Sequence, residues 1–401
     1  MNAFEKCLDK RLAEIRENDL YRTLRQIDSA QSTQLGKDGR AVLNFSSNDY
    51  LGLANHPALQ TAALDAVKQY GAGAGASRLI CGSLAPHHEL EEMLAQFKGT
   101  DAALTFSTGY AAAMGAICSL VGKDDIIIVD KLVHACVVDG AKLSGAKLRV
   151  FGHNDLDNLE SILQWTQSKS RIAHHASRTF IVTESIFSMD GDRAPLKEIV
   201  ELKQKYGAWL MVDEAHATGL YGERRRGLAE ELGVGDQIEI HMGTLGKAIG
   251  AAGGYICGSR RLVDYLVNRA RTFIFSTAPV PAAVAAATAG IGLVQTSEGE
   301  SRRNLLWQRV SDVKSKLNTE TSNCCSAIIP LLIGNESKAV AVAAALLEKD
   351  IFIPAVRFPS VARGKARLRL TISAAHTPAQ IEQLASSLNS CATDFQTAIQ
   401  P

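Results

Sequence analysis

A lysine can attack an aldehyde and carry protons only where nearby groups control its charge, and Lys247 is the candidate for that chemistry in this chain. It lies in Ile238–Gly254, IEIHMGTLGKAIGAAGG, where apolar Ile238, Ile240 and Met242 lead into Gly243, Gly246 and Gly250. The pattern predicts a strand ending in a tight turn with exposed backbone. A Walker-type phosphate loop is excluded, because it needs a glycine five positions before Gly246 and Ser or Thr after the lysine, where the chain has His241 and Ala248. A lysine in a loop is most often simply solvated, so a second feature has to decide.

That feature is Trp209–His216, WLMVDEAH, which puts Asp213 and His216 just past an apolar run. A carboxylate and a histidine at one strand's end, with a lysine at another's, suit a pyridoxal phosphate site. The lysine forms a Schiff base with the aldehyde, and the carboxylate keeps the pyridine nitrogen protonated so that the ring can take up a carbanion's electrons. Helix N-termini and small hydroxyl groups would hold the phosphate.

The elements that must position these residues are legible from Pro86 onward. Short strand-like runs, most of them apolar, at 102–106, 126–130, 147–151, 179–184, 209–213, 238–242 and 254–258 alternate with helical segments, including 110–120, 135–143, 156–165 and 196–206. Such alternation predicts a largely parallel sheet covered on both faces, with ligands beyond the carboxyl ends of its strands. Several of those ends carry polar sets: Ser107–Tyr110, Asp130 with His134, Glu184 with Ser188, Asp213 with His216, and Thr244 with Lys247. A helix is expected over about 5–25, with Phe4, Leu8, Leu12 and Ile15 laid on a core, followed by a turn-rich link through Gly36 and Gly39 and a short strand at 41–45. The domains expected are an N-terminal segment 1–45, a large cofactor-binding domain 46–284 and a small C-terminal α+β domain 285–401. Gly71–Ala76 matches the dinucleotide fingerprint in form only, since a helical segment precedes it where that fingerprint needs a strand.

Composition fits a large cytoplasmic enzyme. The chain has 401 residues, 46% hydrophobic and 21% charged, with a formal net charge of +1, so nothing biases it towards nucleic acid or a membrane surface. Its eight cysteines form no CxxC pair and read as reduced, mostly buried thiols, and no metal site is expected. The N-terminus is charged, without the apolar segment of a signal peptide. The uncharged stretch between Arg271 and Glu298 is too rich in Ala, Gly, Thr and Pro for a membrane span and reads as a buried helix.

The ordered runs NFSSNDYLGL (44–53), Ser77-Arg78, Ser107–Tyr110, His134-Ala135, ESIFSMDGD (184–192), VDEAHATG (212–219), Thr244–Lys247 and RLRL (367–370) resemble the α-oxoamine synthases, a branch of the fold type I pyridoxal phosphate enzymes. The resemblance covers nearly the whole chain. It implies Lys247 as the Schiff-base lysine, Asp213 as partner of the pyridine nitrogen, His216 as donor to the ring hydroxyl and His134 stacked on the ring, with Glu184 also catalytic. Gly109, Tyr110, Ser188 and Thr244 would hold the phosphate, and Ser276 and Thr277 would reach the phosphate of a neighbouring subunit, making the active unit a homodimer. Arg369 would hold the amino acid's carboxylate, with Asn48 and His134 also at the substrate and Arg22 and Ser360 bordering the acyl chain.

Residues 184–196 and 356–361 are most similar to the branch that condenses L-alanine with a pimeloyl thioester, of coenzyme A or acyl carrier protein, in biotin synthesis. Phe358 and Ser360 depart from that branch, which commonly has a proline and a threonine there. Branches that join glycine to acetyl-CoA, or serine to a long acyl chain, share the framework. A pyridoxal enzyme of another reaction type and a non-catalytic binding protein are the competing classes.

Overall fold

The computed structural model describes residues 2–170, 177–317 and 325–395. The chain divides into two compact units, one of Leu51–Ser188 with Asp192–Arg303, the other of residues up to Tyr50, Met189–Gly191 and those from Asn304 on. Its strands in chain order are β1 (Gln34–Lys37), β2 (Arg40–Asn44), β3 (Ala102–Phe106), β4 (Ile126–Asp130), β5 (Lys147–Phe151), β6 (Thr179–Glu184), β7 (Trp209–Asp213), β8 (Ile240–Thr244), β9 (Gly254–Gly258), β10 (Ile328–Gly334), β11 (Ile351–Phe352), β12 (Ala355–Val356) and β13 (Ala366–Thr371).

In the larger unit one sheet runs β3-β9-β8-β7-β6-β4-β5. Strand β9 is antiparallel to both neighbours, and every other pairing is parallel. The sequence dictates this: IIIVD, TFIVTE and WLMVD do not alternate polar with apolar, so both faces of each strand must be covered. Helices Gly109–Leu120 and Ala135–Ser144 pack on each other beside the sheet, and Ile117, Val137, Phe180, Met211 and Ile256 join one buried core. The uncharged helix Pro281–Val294 lies against Pro57–Tyr70 and Ala85–Lys98, with Val284, Ala287 and Ile291 buried. Among the described residues no helix is long and apolar enough to cross a membrane.

The second unit holds two three-stranded sheets, β1-β2-β11 and β10-β13-β12. Strand β2 is the strand expected at 41–45, and β1, where only a turn-rich link was expected, pairs with it in a hairpin about Asp38-Gly39, both at positive φ. The Asp-Gly pair is the signal for such a hairpin. The N-terminal helix is also a correction. It spans Ala3–Glu17, stopping eight residues short of Arg25, because Asn18 caps it and Asp19 turns left-handed at φ 56°. Its apolar face does not lie on a core of this chain, as none of its residues is buried and Phe4 is 66% exposed.

The thiols are corrected in part. Cys7, Cys81, Cys118, Cys136, Cys257 and Cys325 are free, but only Cys136 and Cys257 are buried, while Cys7, Cys81 and Cys325 are exposed. Cys324 and the side chain of Cys391 lie outside the described residues.

At the carboxyl edge of the sheet, Gly254 opens β9 beneath the turn Thr108-Gly109. A Cβ on Gly254 would sit 2.5 Å from the Gly109 N and Cα atoms, a clash that only backbone movement relieves. Gly254→Ala is therefore expected to cost at least the ~1–3 kcal/mol typical of overpacking. Chemical denaturation checks this, and wild-type stability would show that the turn is not held there.

Candidate active site

The end of β8 delivers Lys247 through a closed turn. Leu245 N–H donates to Gly253 O at 2.9 Å, Thr244 Oγ1 donates to the same carbonyl at 2.9 Å, and Gly250 N–H returns to Lys247 O at 2.9 Å. Gly250 has φ 75°, and a Cβ there would meet the Leu53 backbone at 2.6 Å, so no other residue fits that corner. The turn brings Lys247 Nζ to 2.7 Å from Nε2 of His216, in the loop after β7.

Strand register does the rest. Glu184 is paired with Asp213 across β6 and β7, so two buried carboxylates stand side by side. Asp213 accepts the Ala215 N–H at 2.8 Å. Burial raises its pKa, while the charges of Lys247 and His134 and that hydrogen bond oppose the rise. Glu184 is pushed up to about 8, first by burial and then by the charge of Asp213. Its two oxygens accept the His134 N–H at 2.5 Å and the Ser188 N–H at 3.2 Å, which ties two loops of the site to one carboxylate. His134 caps the helix Ala135–Ser144 and remains exposed. Enclosure of its inner side lowers its pKa, with Lys247 adding to the effect and Asp213 opposing it.

Asp130 does not join His134 as the sequence suggested. It receives His153 Nδ1 at 3.0 Å, while His153 Nε2 meets Asp192 at 2.7 Å, so the imidazole bridges two carboxylates and its pKa rises to about 10 despite burial. This bridge fastens the loop after β4 to the end of the loop that carries Ser188. Behind Asp213, the neighbouring Glu214 pairs with Lys98 at 2.5 Å and accepts the Ala229 N–H at 3.0 Å. Those partners outweigh burial and hold its pKa near 2. Neither ion pair nor bridge was found from sequence, because their members lie far apart in the chain. The histidine just past β5 was the one available signal.

Anion binding is prepared at the start of helix Gly109–Leu120. Thr108 caps it by accepting the Ala111 N–H at 3.0 Å, and the first-turn amides of Gly109 and Tyr110 have no acceptor within a helix. The Tyr110 side chain turns away to donate to Asp139 at 2.7 Å. The Thr244 side chain stands beside Gly109, where an added Cβ would lie 3.5 Å from the Thr244 Cβ and 3.8 Å from its hydroxyl oxygen. Ser276 and Thr277 lie on a separate ribbon, in which Thr277 pairs with Ser77 and Ala278 N–H donates to Ala76 O at 3.0 Å. Arg78 next to it is held by Glu91 at 2.9 Å through two nitrogens.

Four of the expected substrate residues belong to the second unit. Arg369 is buried and donates to Asn48 Oδ1 and Thr371 Oγ1, each at 3.0 Å. Arg22 donates to Phe358 O at 3.0 Å, and Ser360 N–H closes a turn onto Arg357 O at 3.0 Å.

A buried carboxylate, a lysine on a histidine and a glycine turn with free helix amides fit pyridoxal phosphate in ring, aldehyde and phosphate alike. The comparisons agree. The family model for Aminotransferase class I and II matches residues 40–388. An 8-amino-7-oxononanoate synthase of Geobacter sulfurreducens is 44% identical over 94% of this chain and 95% of its own length. One of Citrifermentans bemidjiense is 46% identical over 93% of this chain and 95% of its own. Among solved structures, a serine palmitoyltransferase of S. paucimobilis with PLP and myriocin bound superposes with a TM-score of 0.90 at 28% identity, over 99% of this chain and 100% of that one.

Folding raises the Glu184 pKa from an ordinary 4.5 to about 8, so the folded chain holds a proton that the unfolded chain has lost. By linkage, the cofactor-free protein is expected to lose stability as pH rises from about 4.5 to about 8. Glu184→Gln should flatten that slope in urea titrations across the window, and an unchanged slope would contradict the assignment.

Proposed function

We infer the reaction from the premise that the chain belongs to the aminotransferase class I and II family, matched over residues 40–388. Its cofactor is pyridoxal 5'-phosphate. When bound, that group supplies an aldehyde for the amine of an amino acid and a ring that accepts a carbanion's electrons. The chain condenses L-alanine with a pimeloyl thioester, releasing carbon dioxide and the thiol carrier and giving 8-amino-7-oxononanoate for biotin synthesis, which its similarity to chains named 8-amino-7-oxononanoate synthase supports. The contact of Lys247 Nζ with His216 Nε2 at 2.7 Å, beside buried Asp213, carries the assignment of the chemistry.

Each residue then has a task. Lys247 Nζ takes the proton from the alanine Cα and returns one after carbon dioxide leaves. It must be neutral to do so, and the cationic ring held by Asp213 favours that state. His216, whose Nε2 is 2.7 Å from Lys247 Nζ, would donate to the ring hydroxyl of the bound cofactor. Asp213 is buried, so its carboxylate is stabilised by a proton kept on the ring nitrogen, and loss of that proton is disfavoured. His134, exposed and uncharged, covers the ring face. Glu184 keeps the His134 and Ser188 loops in place through their amides. The amides of Gly109 and Tyr110 hold the phosphate with the hydroxyls of Ser188 and Thr244.

Arg369 holds the alanine carboxylate, and its hydrogen bonds to Asn48 and Thr371 support this by fixing the guanidinium. Arg22 receives the far carboxylate of the pimeloyl group, with Ser360 along the chain. The carrier is coenzyme A or an acyl carrier protein. The active unit is a cytoplasmic homodimer in which Ser276 and Thr277 of one subunit reach the other's phosphate.

The test is a panel of coenzyme A thioesters against alanine, glycine, serine and threonine, with thiol release measured. Pimeloyl thioester with alanine is expected to give the highest kcat/KM. Arg22→Ala should lower it roughly tenfold to a hundredfold, as loss of a charged hydrogen bond does, while hardly changing an uncharged acyl thioester of equal length. If acetyl-CoA with glycine, or a long acyl chain with serine, proved the best pair, the substrate assignment would be wrong.

A further inference from the structure

The His134 ring is held through one nitrogen, by a residue to which the reaction gives no part. Its Nδ1 lies 3.3 Å from the backbone nitrogen of Cys136 and 3.0 Å from the Cys136 Sγ. A backbone N–H can only donate, so Nδ1 must present its lone pair there, and a proton on Nδ1 would point into that amide. The thiol is 1% exposed, and burial, followed by the charges of Asp213 and Glu184, keeps it protonated. A protonated thiol next to an acceptor nitrogen is a second donor to it. The backbone of His134 is fixed independently by Glu184 at 2.5 Å.

We propose that Cys136 is a positioning residue whose amide and thiol fix His134 as the neutral tautomer with its proton on Nε2. When one ring nitrogen accepts, the other carries the hydrogen. The ring is then flat and uncharged, and its only donor is Nε2–H, on the opposite edge from Cys136. His134 is an exposed residue and its Nδ1 is engaged by Cys136, so Nε2–H is the ring donor left for a ligand. The group it suits is an acceptor, such as the carboxylate of the amino acid or the carbonyl of the thioester. The role at the substrate rests on the reaction proposed above, whereas the tautomer follows from the contacts alone.

The experiment is ¹⁵N spectroscopy of the holoenzyme labelled in histidine, with the His134 signals identified by their loss in His134→Gln. At neutral pH, Nδ1 is expected to resonate as an unprotonated nitrogen and Nε2 as a protonated one. Cys136→Val fills the space without the donor. It should move or broaden the Nδ1 signal and lower kcat about five- to tenfold, as loss of a neutral hydrogen bond does, with little change in KM for the thioester. Cys136→Ser, which restores a hydroxyl donor, should bring back both the signal and most of kcat. Where Cys136→Val does not fold, Cys136→Ala is measured in the same way. A proton on Nδ1 of the wild type, or a folded Cys136→Val or Cys136→Ala variant with both signals and kcat unchanged, would overturn the proposal. A protein with these signals but no condensation of alanine with pimeloyl thioester would instead refute the reaction and leave the tautomer assignment standing.

Discussion

Two carboxylates side by side at a dry strand edge are what the larger unit is built to accommodate. Glu184 and Asp213 are in register on β6 and β7, and both are buried. Removing one ionised carboxylate from water costs several kcal/mol unless hydrogen bonds and opposite charges offset it. Two adjacent ones also repel each other. A proton held on Glu184 up to about pH 8 relieves the repulsion, and the surrounding chain holds both groups: the amides of His134 and Ser188 converge on Glu184, and Lys247 and His134 lie within electrostatic reach of Asp213. The turns after β4, β6, β7 and β8 therefore have their shapes set in part by the same pair.

Supports one layer further out keep those turns from relaxing. Glu214 follows Asp213 directly, yet its side chain goes to Lys98 and to the amide of Ala229, anchoring the strand end to two other segments. Gly227, at φ 144°, leaves room for it, since a Cβ there would lie 2.3 Å from the Glu214 carboxylate. His153 joins Asp130 to Asp192 and packs edge-on against Phe187 at 4.4 Å, closing the loop that bears Ser188. A charge network of this kind gives position more than stability, because its members lose much of what they gain to desolvation.

Strands β3, β4, β6, β7 and β9 were legible in the sequence because each is a short, largely apolar run, and that pattern leaves little freedom in where a buried strand begins and ends. The edge strand β5, KLRVF, carries two charges and was placed by the helical segments on either side of it. The run about Ile238 was displaced: β8 starts at Ile240 and continues through Thr244, because pairing with β9 extends it beyond its last apolar residue. The residue types at the strand ends also spoke plainly, since a lysine, a carboxylate and a histidine at neighbouring ends have few joint uses. What stayed hidden depends on proximity in space. The sequence does not show that Asp130 turns to His153, that Cys136 touches His134, or that Lys98 reaches under Glu214. The N-terminal helix was overextended because a periodic apolar pattern outlasts the helix when Asn18 and Asp19 stop it.

The central claim is that Lys247 is the group through which the chain holds and uses its cofactor. Borohydride makes the bond between a lysine amine and the cofactor aldehyde permanent, so reducing the holoenzyme and sequencing its peptides by mass spectrometry reads the attachment point directly. The holoenzyme should be yellow, lose that colour on reduction, and carry the added mass on Lys247 alone. Mass on another lysine, or a protein that takes up no label while remaining active, would contradict it.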